Sequence, residues 1–191
     1  MKKRHLGIAA LGTVVVVGAV IPIGHAAGLR LNFTHSAPTG LWRVQALDMA
    51  PLKRGELVEV CPPVRPIVQL MADRGYLEPG DCAGTHAGTL LKPVAAVAGD
   101  RVRIQPGRPA MVNGRILPNT QAIETIPAWA EGSYIVAPGQ VWLFSTYSAR
   151  SFDSRYFGPV DVASSVRGRA TPVLIRGDAA DMTLIAERSN R

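Results

Sequence analysis

An apolar run from about Leu6 to Ala27, set behind the basic head Lys2-Lys3-Arg4, constrains this chain more than any other feature. Its only polar interruptions are Thr13 and His25. About 20 helical residues at about 1.5 Å each cross a hydrocarbon core of about 30 Å. The run therefore reads as a retained signal anchor, with the basic head on the cytoplasmic side and the body outside. Pro22 would kink such a helix without breaking it, because the lipid-embedded backbone keeps its remaining hydrogen bonds. Two alternatives stand beside the anchor. One is a cleaved signal peptide, for which the small residues of "GHAAG" offer a cleavage site. The other is a buried core helix. On the anchor reading the chain divides into residues 1–28 (basic head and transmembrane anchor), 29–175 (a β-rich external domain) and 176–191 (a C-terminal tail).

The body beyond the run, roughly 160 residues, is long enough for one domain with a real core. Apolar residues make up 47% and charged residues 18%, so the body is globular rather than disordered. The 19 Gly and 15 Pro suit a fold with many turns and few long helices. "GLWRVQAL" alternates like a strand, and Glu56 to Val60 comes next as another after a turn at Gly55. "PIVQLMADRGYL" reads as a short helix ending near Gly75. "LLKPVAAVAGDRVRIQ" gives strand, Gly-Asp turn, strand, and "MVNGRIL" a hairpin with Asn113-Gly114 at its tip, both residues needing positive φ. "SYIVAPGQVWLFS" supplies two more strands around Pro138-Gly139; weak helical character marks the tail after Val173. The expected class is mainly β, largely antiparallel.

The net charge of +7 is spread over scattered arginines with no basic run in the body and no pattern of stacking aromatics. Nucleic acid is thereby excluded as a partner, and attraction to an anionic membrane surface is the simpler account. The two cysteines, Cys61 and Cys82, can pair outside the cytoplasm, closing a loop of about 20 residues worth about 3 kcal/mol. The alternative is two free buried thiols. Zinc does not fit, since the nearest histidine is His86 and no CxxC occurs. No GxGxxG, Walker loop or HExxH is present, so no cofactor or metal is expected.

The chemistry concentrates in three stretches. "NFTHSAPTGL" places Ser36 just beyond the apolar run, with Pro38 and Gly40 fixing a bend after it. Thr34, two residues earlier, faces the same way on an extended chain and could donate to an oxyanion with the Ser36 N–H; it could equally be a polar strand residue. "TLLKPVAAVAG" holds Lys92 in the most apolar surroundings of any body lysine. Burial there would bring its pKa down to where an amine can act as a base. The plainer alternative is a packed stem with its head in water. Lys53, in a polar turn beside Arg54, stays solvated. "SARSFDSRYFGPV" gathers Ser151, Asp153, Ser154 and Arg155, where Asp153 and Arg155 can pair and Ser154 can orient an amine. A Ser-His-Asp triad would have to recruit His86, which nothing nearby marks.

These stretches, in this order and behind an anchor, resemble the boxes of the type I signal peptidase family of membrane-anchored serine peptidases. "SAPTGLW" resembles the nucleophile box, "LLKPVAAVAGDRV" the base box and "SFDSRYFGPV" the last box, with "RGELVEV" and "VNGRIL" filling two less specific positions. The form Ser36-Ala37-Pro38-Thr39-Gly40 is more similar to the conjugal-transfer, TraF-type branch. The resemblance implies Ser36 as nucleophile and Lys92 as general base, with Thr34 or backbone as oxyanion donors and Asp153, Ser154 and Arg155 as supporting shell. It implies a single-pass protein of the bacterial inner membrane with its peptidase domain in the periplasm. The expected substrate is a membrane-inserted, pilin-like precursor, cut or cyclised alongside conjugation or secretion machinery. A general signal peptidase acting on exported leaders is the alternative.

Overall fold

The computed structural model describes residues 23–176. The apolar run up to residue 22 and the tail beyond residue 176 lie outside the described residues, and so do the greater part of the expected anchor and nearly all of the expected C-terminal segment. Within 23–176 no helix is long and apolar enough to cross a membrane.

The described chain is mainly antiparallel β. Eleven strands form two sheets: β1 (Leu29–Asn32), β2 (Thr39–Gln45), β3 (Leu57–Val60), β4 (Leu90–Ala96), β5 (Arg101–Ile104), β6 (Met111–Val112), β7 (Arg115–Ile116), β8 (Gly132–Ile135), β9 (Gln140–Leu143), β10 (Val160–Asp161) and β11 (Val166–Arg176). The larger sheet has the order β1-β2-β11-β3-β4-β9-β10, the smaller β7-β6-β5-β8. Three short helices join them: α1 (Pro66–Asp73), α2 (Ser154–Phe157) and α3 (Val162–Ser165). Pro66 opens α1, where its missing N–H costs nothing. Val68 and Met71, three apart, face the core. Gly75 closes the helix at φ 69°, while the N–H groups of Gly75 and Tyr76 return to the carbonyls of Ala72 and Met71.

The main core lies between α1, α2 and the large sheet, around Val58, Val68, Leu143, Phe152, Tyr156 and Phe157. A second core, around Val102, Val136, Trp142 and Phe144, glues the small sheet to the large one. The hinge between the sheets is the Gly99-Asp100 turn. Burial would raise the Asp100 carboxyl, but hydrogen bonds from Arg54, the Val97 N–H and Asn113 outweigh it and hold it below the usual carboxylate range. The hairpin tip at Asn113 (φ 50°) and Gly114 (φ 80°) has the expected geometry.

The two strands expected around Pro138-Gly139 are present and lie in different sheets: β8 joins β5 in the small sheet and β9 joins β4 and β10 in the large one. Two features differ from the sequence expectation. Residues 166–176 form the longest strand, inserted between β2 and β3. Gly40 is a strand residue rather than a bend: at φ 137° it lets the backbone of β11 pass so closely that a Cβ would lie 2.2 Å from the Leu174 oxygen. A disulfide joins Cys61, at the end of β3, to Cys82 in the loop after α1, with 5.4 Å between their Cα atoms.

Candidate active site

Ser36 sits in the turn between β1 and β2, and Asn32 holds that turn together. Its Oδ1 accepts the N–H and the hydroxyl of Thr34 at 3.0 and 2.8 Å. Its Nδ2 lies 3.0, 3.0 and 3.1 Å from the carbonyls of Thr34, Ala37 and Pro38. Trp42, fully buried beneath the turn, adds a bond from Nε1 to the Pro38 carbonyl at 3.0 Å. Ser145, two residues beyond β9, donates its hydroxyl to the Ser36 carbonyl at 2.7 Å. The turn is thus fixed from within, from below and from the segment that follows β9, while the Ser36 side remains half-buried at a cleft.

Lys92 lies in β4, opposite Val58 of β3. It is 3% exposed. Its Nζ donates to Ser151 Oγ at 2.8 Å. Burial lowers the Lys92 pKa from 10.5 to about 8, with Asp153 pulling it up and Arg155 pushing it down again. At neutral pH roughly a tenth of the amine is therefore uncharged, against about one part in three thousand for a solvated lysine.

Asp153 and Arg155 form a buried bidentate pair, Nε to Oδ1 and Nη2 to Oδ2, each 2.8 Å. The rest of the guanidinium is consumed by the carbonyls of Asn119, Ala149 and Ser145 at 2.8, 3.1 and 3.0 Å. Asp153 also caps α2 and accepts the Ser145 N–H at 3.0 Å. The pair thus pins Ser145, which in turn touches the Ser36 turn. Ser154 is placed differently from the expectation: its Oγ accepts the Leu143 N–H at 2.9 Å, and the hydroxyl that meets the amine belongs to Ser151. Thr34 lines the cleft with its hydroxyl turned onto Asn32.

One cleft of about 570 Å³ is lined by Ser36, Thr34 and Lys92 together. Three residues that organise it, Asn32, Ser145 and Ser151, were not singled out for these tasks by the sequence. An Asn two residues before a Thr at the end of a strand is an Asx-turn signal that could have marked the first. The other two work across 109 and 59 positions, and nothing local announces them.

A hydroxyl and a largely desolvated amine opening on one groove, within an antiparallel β scaffold, are the equipment of acyl transfer through serine. Comparison with known proteins gives that class a family. The family described as "Signal peptidase, peptidase S26" matches residues 4–175. The chain belongs to this family of serine peptidases. Among similar proteins, "Conjugal transfer protein TraF" of Agrobacterium fabrum is 39% identical over 175 residues, spanning 89% of this chain and 93% of the relative. "Plasmid transfer protein TraF" of Escherichia coli is 33% identical over 180 residues, 91% of this chain and 97% of the relative. Among solved structures, a signal peptidase I of Enterococcus faecalis covers 65% of this chain and 100% of its own at 17% identity and a TM-score of 0.38, a likeness too slight to carry an argument.

Proposed function

We propose that this chain is a membrane-anchored endopeptidase that uses Ser36 as nucleophile and neutral Lys92 as general base to process a pilin-like precursor for conjugative transfer. The observation that carries the reading is the burial of the Lys92 amine, with its pKa brought to about 8, in the cleft that Ser36 also lines. The names of the relatives support the conjugative setting.

In the reaction Lys92 Nζ takes the Ser36 proton as Oγ attacks the scissile carbonyl. The oxyanion is held by the Ser36 N–H and, after it turns away from Asn32, by the Thr34 hydroxyl. Loss of one such donor typically costs about 3 kcal/mol, or about a hundredfold in rate. The ammonium returns its proton to the departing amine, leaving an acyl-ester. Water, or the precursor's own N-terminal amine, then attacks the ester, Lys92 again accepting the proton and passing it to Ser36 Oγ as the bond from Oγ to the acyl carbon breaks. Ser151 keeps the amine aimed, and the Asp153–Arg155 pair keeps Ser145 and the turn in place. The precursor lies extended beside β1, an edge strand of the large sheet, where free backbone groups can pair with it.

The anchor reading of residues 6–27 places this cleft at the outer face of the inner membrane. Nine positions separate Ala27 from Ser36, a reach of at most about 32 Å. Leu31, Leu41 and Leu174 are cross-strand neighbours on β1, β2 and β11, and Leu31 and Leu174 are exposed. Together with exposed Phe33 they form an apolar edge suited to the headgroup region.

The test is co-expression with a candidate pilin precursor. Ser36→Ala and Lys92→Met are expected to lower processing by at least about a thousandfold while still folding and inserting. Processing by either variant within tenfold of the parent rejects the dyad. Mass spectrometry separates the two fates of the ester, since a ring is one water lighter than the hydrolysed product.

A further inference from the structure

The cleft continues past Tyr76 and Arg150. Both residues also line a second cavity of about 600 Å³, floored by Met71, Ile123 and Ile126 and edged by Arg74. Two arginines and no carboxylate line it. The nearest acids in sequence, Asp73 and Glu124, are not among its lining residues, and the Asp73 carboxylate accepts from Gln69 Nε2 at 2.8 Å. Arg150 is held by its backbone rather than its head. Its N–H donates to Ser148 Oγ at 3.2 Å and its carbonyl accepts the Tyr76 hydroxyl at 2.5 Å. The Arg150 guanidinium has no acceptor among the described residues, and that of Arg74 reaches only the Thr125 carbonyl, at 3.5 Å.

An apolar floor beneath two cations suits a peptide segment that carries an apolar side chain and a carboxylate together. We propose that this cavity is a subsite for an acidic end of the substrate peptide, continuous with the cleft and read by Arg74 and Arg150. The assignment rests on the peptidase reading for the identity of the ligand as a substrate. The carboxylate is either an Asp or Glu side chain or the free C-terminus of the precursor. Tyr76 and Arg150 form the sill over which the peptide passes from one cavity to the other.

Binding tests this without cleavage. The full chain carrying Ser36→Ala, in detergent micelles, is titrated into fluorescein-labelled Ala-rich peptides with Glu or Gln near either end, each as free acid and as amide. Glu or free-acid peptides are expected to bind about tenfold more tightly than their neutral counterparts, and Arg74→Gln/Arg150→Gln to bring the two within about twofold. Arg103→Gln/Arg115→Gln, which removes the same charge from the small sheet, is expected to leave the preference intact. A Glu preference assigns the site to side chains, a free-acid preference to the terminus. Equal binding of charged and neutral peptides overturns the subsite. So does a preference that survives loss of Arg74 and Arg150, or one that falls as far with Arg103 and Arg115. Processing of the co-expressed pilin precursor by protein with Ser36 intact is read separately, and its absence fails the peptidase reading alone.

Discussion

Asn32 shows how much one buried amide can settle. It is 5% exposed, and its two polar atoms face opposite kinds of partner: donors of Thr34 on one side, three carbonyls on the other. Aspartate has nearly the same shape but, ionised, can only accept. Asn32→Asp would therefore aim a charged oxygen at the carbonyls of Thr34, Ala37 and Pro38. We expect it to cost about 2–3 kcal/mol and to slow acylation of Ser36 by a serine-reactive acylating inhibitor at least about tenfold, more than Asn32→Ala does. Urea unfolding and the acylation rate check this; an Asp variant that matches the parent in both would mean the amide does not hold the turn. At this scale the sequence reveals what is written locally. Ser36 stands out through Pro38 and Gly40, and Lys92 through an apolar neighbourhood that survives as burial in the fold. The adjacent Asp153 and Arg155 pair as their spacing suggests. Ser151 stands in the sequence only as one of the polar residues gathered before Asp153, and Ser145 not at all; what each holds is set by topology and not by neighbours.

Among the elements, those with a local cause were readable: α1 from Pro66 and Gly75, the β6–β7 hairpin from Asn-Gly, and β4 from an apolar stretch that only Lys92 interrupts. The central strand β11 was not. Its sequence "VRGRATPVLIR" puts small residues, Gly168 and Ala170, at two of its three buried positions and a proline in its middle. That pattern argues against a central strand, since an interior strand normally buries large side chains and supplies every N–H. Here it fits because β2 and β3 close in from both sides. A Cβ on Gly168 would lie 2.2 Å from the Gln45 oxygen, and the break in register between Pro172 and Leu174 absorbs the missing donor. Gly168→Ala must push backbone apart rather than turn a side chain, so a loss of about 2–3 kcal/mol is expected. Denaturant melts will show it. A loss below about 0.5 kcal/mol would mean that β2 and β11 are free to separate at this point.

For the molecule as a whole, Lys92 as the base of the proposed reaction would link catalysis to stability through a single proton. Its folded pKa is about 8 and its unconstrained value 10.5. Below about pH 8 both folded and unfolded chains carry the proton, and the native state bears the full cost of a buried ammonium. Between about 8 and 10.5 the unfolded chain keeps a proton that the native chain has released, so the unfolded state binds more protons and stability rises with pH. Above 10.5 both are neutral and the slope from this group ends. Tyr156 acts in the opposite sense: burial pushes its phenol above 10, the native chain keeps its proton longer, and stability falls once the unfolded tyrosine ionises. The lysine is thus read most cleanly between about pH 8 and 9.5, where it should contribute about 1.5 kcal/mol. Urea unfolding of the parent across that window should show the rise, and Lys92→Met should be flatter by that amount. An amine base works only when neutral, so on the proposed reading acylation of Ser36 should climb below about pH 8 and level off above it, and the kinetic midpoint and the onset of the stability gain should coincide. A rate that stays flat from about pH 6 to 9, beside a stability difference of the expected size, would show a buried lysine that titrates but does not serve as the base.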